Sequence, residues 1–297
     1  MLDTFNMKKF AHIFGKILGI VGLLFVFYKL SQEYTFDTFL KNFDAISGFI
    51  PLLVMVNLLS TLLGIYAWHI MILNYAQKPF PYITSYYYFA KTEVAKYLPG
   101  NVFHFVGRQA MASKMGITQK EMAKTSFLFS FLLMTGTLFS STIFALFSTE
   151  TPLYLELLMS LASIIVIIVI IFLFPSFPLY KKVQMNLILA LSVAMQGLML
   201  GAIMLYQNEE MGMGLFFLFV SIYIVSWLIG FITPGASGGL GVREGAFIAI
   251  SVFLQIDMSE DIIIFSVLMV RLINIIIDVL MYLSTYMLEH KIKGNEV

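Results

Sequence analysis

The chain contains no cysteine. That absence excludes disulfides, thiolate metal sites and a cysteine nucleophile together. Charge is scarce as well: 12% of the 297 residues are Asp, Glu, Lys or Arg, about half the roughly 25% usual in soluble domains. The net charge of +1 provides no field for holding nucleic acid. Only three arginines occur, Arg108, Arg243 and Arg271, and the other 15 of the 18 basic residues are lysines. The four histidines (His12, His69, His104 and His290) are scattered without metal-ligand spacing, and no P-loop lysine is present. Neither a metal nor a cofactor is expected.

What remains is apolar. Hydrophobic residues make up 60% of the chain and mean hydropathy is +0.90. A bilayer-spanning helix needs about 20 apolar residues in a row, and seven stretches qualify: 12–30, 49–74, 125–148, 152–174, 183–206, 213–232 and 262–288. The first follows Lys8, Lys9 and Lys16 without a small-residue cleavage site, so it reads as a retained helix. Two regions fit less well. Region 82–112 is apolar but carries Lys91, Glu93, Lys96, His104 and Arg108. Region 233–256 opens on Pro, Gly and a charged pair and leaves only Ala246–Ile256 as a clean apolar run, too short to cross. The expected fold is all-α: one integral membrane domain over 1–297, with about eight to nine membrane segments, two of them broken or re-entrant.

Lysine placement sets the expected orientation, because Lys and Arg collect in cytoplasmic loops. Lys8 and Lys9, Lys78, the group Lys114, Lys120 and Lys124, the pair Lys181 and Lys182, and Lys291 with Lys293 fall at one set of span ends. Glu150, Glu209 with Glu210, and Asp257 with Glu260 and Asp261 fall at the other; only 31–48, through Lys41, is mixed. Both termini are therefore expected to be cytoplasmic. Region 82–112, flanked by lysines on one side, must enter and return as a hairpin with its tip at Pro99-Gly100-Asn101.

The two irregular regions resemble each other. Pro99-Gly100 is followed after seven residues by Arg108-Gln109, and Pro234-Gly235 after seven residues by Arg243-Glu244. Each copy has a glycine within the two positions before its arginine, Gly107 and Gly241, and the second adds Gly238 and Gly239. Paired Gly/Pro-interrupted segments are the sequence pointer to a transporter binding site built on an inverted repeat. Non-helical backbone survives at membrane depth only under cover of protein or beside a water-filled cavity.

Arg108 and Arg243 fall one in each motif copy, and Arg271 falls inside the last span. Arginine offers a planar fork of donors suited to phosphate or carboxylate, whereas lysine is a point charge. Arg271, Asn274 and Asp278 recur at i, i+3 and i+7, on one face of the last helix. The candidate binding residues are Arg108, Arg243, Glu244, Arg271, Asp278, Asn101 and Asn274, with Glu244 and Asp278 expected to balance the arginines. Glu93 and Lys96, three apart, suit a local ion pair. Gly235-Ala-Ser237-Gly-Gly239 matches a nucleophile-elbow pattern but lacks its strand context and a histidine partner. Gly197-x-x-x-Gly201 suits close helix packing within the chain.

The stretch from Thr233 to Gly245, TPGASGGLGVREG, resembles a signature of the lysylphosphatidylglycerol synthase transmembrane region, a flippase-like membrane domain. KYLPGNVFHFVGRQ, from Lys96 to Gln109, resembles an earlier segment of the same family. The similarity covers roughly residues 10–290. It implies a multi-pass protein of the bacterial inner or plasma membrane that moves or binds lipid in envelope biogenesis. The implied partner is an anionic phospholipid or a polyprenyl-phosphate-linked glycolipid. Longer members add a cytoplasmic synthase domain; these 297 residues hold none, so that activity is not expected of them. Two alternatives stand beside this reading: a membrane-embedded transferase acting on a lipid phosphate, and an accessory subunit of an envelope glycosyltransferase.

Overall fold

A computed structural model describes residues 36–76, 79–98, 103–172, 177–234, 236–256 and 258–293. The expected span 12–30 lies outside them. The described residues are helical throughout, without a strand. The order is α1 (Phe36–Ile46), α2 (Ile50–Leu73), α3 (Tyr82–Glu93), α4 (Phe103–Ala110), α5 (Gln119–Phe147), α6 (Leu153–Phe172), α7 (Leu179–Gln207), α8 (Met213–Ile232), α9 (Val242–Phe253) and α10 (Glu260–Lys293). Among the described residues six helices are long and apolar enough to cross a membrane: Phe39–Leu73, Gln119–Phe147, Leu153–Phe172, Leu179–Gln207, Met213–Ile232 and Asp261–Glu289. They coincide with the other six expected spans and mark a multi-pass membrane protein.

The long helices begin or end where local chemistry allows. Helix α5 starts six residues before the apolar run because Thr118 and Glu121 form a capping box. The Thr118 hydroxyl accepts from the Glu121 amide at 3.2 Å, and the Glu121 carboxylate accepts from the Thr118 amide at 2.9 Å. In the first turn of α7, the buried Lys182 ammonium donates to the carbonyls of Ile170 and Ile171 of α6, at 3.2 and 3.3 Å. A cation complements the carbonyl end of a helix.

Small residues set the helix packing, as expected in lipid, where apolar burial alone does not drive association. Ser60 on α2 and Ser192 on α7 exchange hydroxyl-to-carbonyl bonds, both 2.8 Å. Ser141 on α5 and Ser221 on α8 do the same at 3.1 and 3.0 Å. Gly197 and Gly201 lie against Val220, Ile224 and Phe216 of α8, so this small-residue pair packs within the chain. At Gly136 on α5 a methyl group would stand 2.9 Å from the Asn186 carbonyl oxygen of α7. Backbone cannot yield as a side chain does. Gly136→Ala should therefore lower stability by about 1–3 kcal/mol, read as a fall in Tm in detergent. Gly48→Ala, where no atom lies within 4 Å, should leave Tm unchanged.

The acidic turns gather at one end of the bundle. Glu150 shares a surface recess with Gly212–Leu215 and Leu254–Ile256, and Asn208 donates to the Met258 sulfur at 3.5 Å. Lysines gather at the opposite end, where Lys91 pairs with Glu289 at 3.6 Å. Helices α3 and α4 descend from that basic end. At 1.5 Å per residue they reach about 18 and 12 Å, and α9 about 18 Å, against a hydrocarbon core of about 30 Å. None of the three spans alone.

Candidate functional site

The first interruption is a helical pair. After Glu93 the chain continues as a 3-10 turn, Val94–Tyr97, and leaves it at Leu98 with extended geometry, ψ 147°. Such geometry is imposed on a residue that precedes proline. Helix α4 then packs along α3: a methyl on Gly107 would stand 3.0 Å from Thr92 Cγ2. Arg108 on α4 donates to the Glu93 carboxylate on α3, so the ion pair ties the two arms together. Pro99, Gly100 and Asn101 lie outside the described residues.

The second interruption follows α8. Thr233 caps that helix by donating to the Ile229 carbonyl at 2.6 Å. Gly238, Gly239 and Gly241 then take φ of 53°, 73° and 76°, left-handed values that disfavour any side chain. Gly235 lies outside the described residues, and Pro234 is exposed. Helix α9 returns along α8, with Phe247 against Phe219 and Tyr223. The glycines also make room for Arg243: a methyl on Gly230 would overlap its stem, and one on Gly239 would stand 2.6 Å from its Nε.

The two interruptions meet inside the protein on the polar face of α10. Tyr97, at the deep end of the first, donates to Asp278 at 2.6 Å, and its ring stands 5.9 Å from the Arg271 guanidinium. Arg271 in turn donates to the Gly238 carbonyl of the second at 2.9 Å. Around this junction is a cavity of about 130 Å³ lined by Lys96, Arg108, Arg243, Arg271, Glu93 and Asp278, with Asn274, His104, Gln196 and Trp227. A single water needs only about 10–15 Å³ of such space, so several waters or one phosphate-sized group fit.

The charges are unevenly matched. Lys96 bridges Glu93 at 3.1 Å and Asp278 at 2.8 Å. Arg108, 2% exposed, is taken up by Glu93 and lies 3.9 Å above the Phe89 ring, with Trp68 and Phe129 nearby. Arg271 has Gly238 and, at 3.7 Å, Glu244. Arg243 differs: among the described residues no carboxylate lies within ion-pair distance, and its Nε, like those of Arg108 and Arg271, is buried without a hydrogen-bond partner. Its guanidinium stands 4.8 Å from the Trp227 ring. Four cations thus face three carboxylates, and the unmatched one is Arg243.

The arrangement brings together most of the residues expected from sequence. Arg108, Arg243, Arg271, Asn274 and Asp278 all line the cavity, and the α10 stripe faces it as its spacing implied. Glu244 is buried behind Arg271 rather than on the lining. The pairing differs from expectation at Asp278, which balances Lys96 and Tyr97 rather than an arginine. Asn274 accepts from Asn57 of α2 at 2.6 Å. Lys96, Tyr97 and Trp227 were not anticipated as site residues. A usable signal existed: the chain has two tryptophans, and each stands within 6 Å of a motif arginine. Among the described residues no His, Asp and Glu group converges on a metal position.

No family model, no curated protein and no solved structure matches this chain.

Proposed function

We propose that this protein binds the phosphate of an anionic lipid among Arg108, Arg243 and Arg271 and carries that lipid between membrane leaflets. The observation that supports this reading is the convergence of every arginine in the chain on one cavity where the two Pro-Gly interruptions meet. A half-buried cation without a carboxylate within ion-pair distance is costly, and an ionisable group at membrane depth is a functional-site hypothesis by default. An anionic headgroup in the cavity would neutralise Arg243, whose side chain lines it. Its planar fork suits phosphate oxygens.

In this reading α3 and α4 form a re-entrant hairpin from the basic, cytoplasmic end, and α9 is the broken half-helix of an inverted repeat. The two interruptions act as alternate gates over one site. The resemblance to the flippase-like membrane domain of lysylphosphatidylglycerol synthases favours a phospholipid or polyprenyl-phosphate glycolipid in the bacterial plasma membrane. A transferase would need a free carboxylate on the lining as base, whereas Glu93 and Asp278 are both engaged with cations.

The test is a leaflet-accessibility assay in proteoliposomes with a fluorescent anionic phospholipid. An Arg108→Lys, Arg243→Lys double variant keeps the charge and removes both forks. It should exchange lipid at least about tenfold more slowly, the equivalent of 1.4 kcal/mol in the barrier. Unchanged exchange contradicts the arginine assignment.

A further inference from the structure

Beside the arginine cavity, on the protein surface between α4 and α5, runs a second space of about 480 Å³. Phe105, Val106 and Ala110 line it from α4, and Ala123 and Ser126 from α5. Gln109 donates to the Gln119 carbonyl at 2.5 Å and closes one end. Phe105 borders both this groove and the arginine cavity. Its ring lies 3.9 Å from that of His104 and 5.8 Å from the Arg108 guanidinium. One aromatic side chain therefore separates an apolar surface trough from a buried cationic pocket.

We propose that the groove between α4 and α5 holds the hydrocarbon chain of a phosphate-bearing lipid, and that Phe105 is the partition the headgroup passes to reach the arginines. The inference rests on the phosphate-binding reading of the cavity and adds where the rest of the molecule goes. An amphiphile needs two adjoining rooms of opposite polarity, and these two share a wall. The cavity, at about 130 Å³, admits a headgroup phosphate but no acyl chain, so the chain must stay outside while the headgroup is bound. The groove has a surface built for one: Val106 is 58% exposed, and alanines at 110 and 123 keep the trough open between the two helices. Charge fits the same direction of entry. Lys120 and Lys124, one turn apart and exposed on the first turns of α5, stand at the basic end beside the groove. Cations at that level attract anionic headgroups, by about 1 kcal/mol per residue near a charged surface.

The test uses the full chain in detergent with two probes: a diacyl phosphatidic acid, and glycerol 3-phosphate, which carries the same phosphate without chains. Ala123→Trp and Ala110→Trp each fill the groove from an exposed position on a different helix. Each should weaken phosphatidic acid binding by at least about tenfold and leave glycerol 3-phosphate binding within about twofold. Unchanged phosphatidic acid binding in both variants overturns the groove assignment while leaving the cavity reading intact. A wild type that binds neither probe overturns the cavity reading and this one with it. A variant that loses both probes is resolved on the wild type, with a phosphatidic acid carrying a photoreactive group near the top of its acyl chain. Crosslinks should fall in 103–110 and 119–127; crosslinks confined to other helices overturn the proposal.

Discussion

Lys96→Met should destabilise the protein by about 1–3 kcal/mol, between the effects of breaking a surface pair and a fully buried one, because the Lys96 side chain is half-buried while Asp278 is buried. The size follows from what Lys96 holds apart. Its ammonium is shared between Glu93 on the first hairpin arm and Asp278 on α10, and only 6% of the Asp278 surface is exposed. Without the ammonium, Asp278 keeps a single donor, the Tyr97 hydroxyl, and Glu93 keeps Arg108. The remaining carboxylates repel each other in a medium that screens poorly. Thermal unfolding in detergent should show the loss directly. The Lys96→Met, Asp278→Leu double variant should recover a substantial part of it, because deleting both members of a buried pair is far milder than deleting one. Additive losses would mean that the two residues do not interact, and that the hairpin tip is held against α10 by something else.

The spans could be read from sequence because lipid imposes a length and a polarity on each of them, and those constraints act residue by residue. Helix α5 shows the limit of such a reading. Its apolar run begins near Thr125, but the helix begins at Gln119, where the Thr118–Glu121 capping box starts it. Hydropathy is blind to a polar first turn. The grouping of Arg108, Arg243 and Arg271 was also legible, because a chain that uses lysine for its loops and arginine only at depth separates two kinds of cation. The α10 stripe followed from helical spacing alone.

The partners of those residues were not legible. Nothing in local sequence says that Asp278 meets Lys96, 182 positions away, rather than an arginine. That choice depends on how deep the α3–α4 pair reaches, which is set by the junction of Tyr97 with Arg271 and Gly238. Spacing pairs Lys96 with Glu93, as observed, but its second partner and the role of Tyr97 appear only once the two interruptions are brought together. The expected tip at Pro99-Gly100-Asn101 lies outside the described residues, and Asn101 has no structural placement.

Arg243 is the residue on which the account turns. It is the cavity cation without a carboxylate within ion-pair distance among the described residues, and two glycines, Gly230 and Gly239, leave space for its stem. A residue retained for stability would be expected to carry a partner. Arg243→Met keeps an apolar stem between Gly230 and Gly239 while removing the charge and the guanidinium contact with Trp227. It should leave Tm unchanged or raise it, since a half-buried charge with no carboxylate within ion-pair distance among the described residues disappears. It should also weaken anionic lipid binding by about 1.5–3 kcal/mol, the range for hydrogen bonds to charged groups, or roughly ten- to 150-fold. Stability and binding would then move in opposite directions from one substitution, which neither a scaffold nor a packing role explains. The most direct measurement is native mass spectrometry of lipid that co-purifies with the full chain. The wild type should carry a phosphate-bearing lipid, and Arg243→Met, equally folded, should lose it. Equal retention of that lipid by both proteins, or a wild type that carries only neutral lipid, would contradict the account.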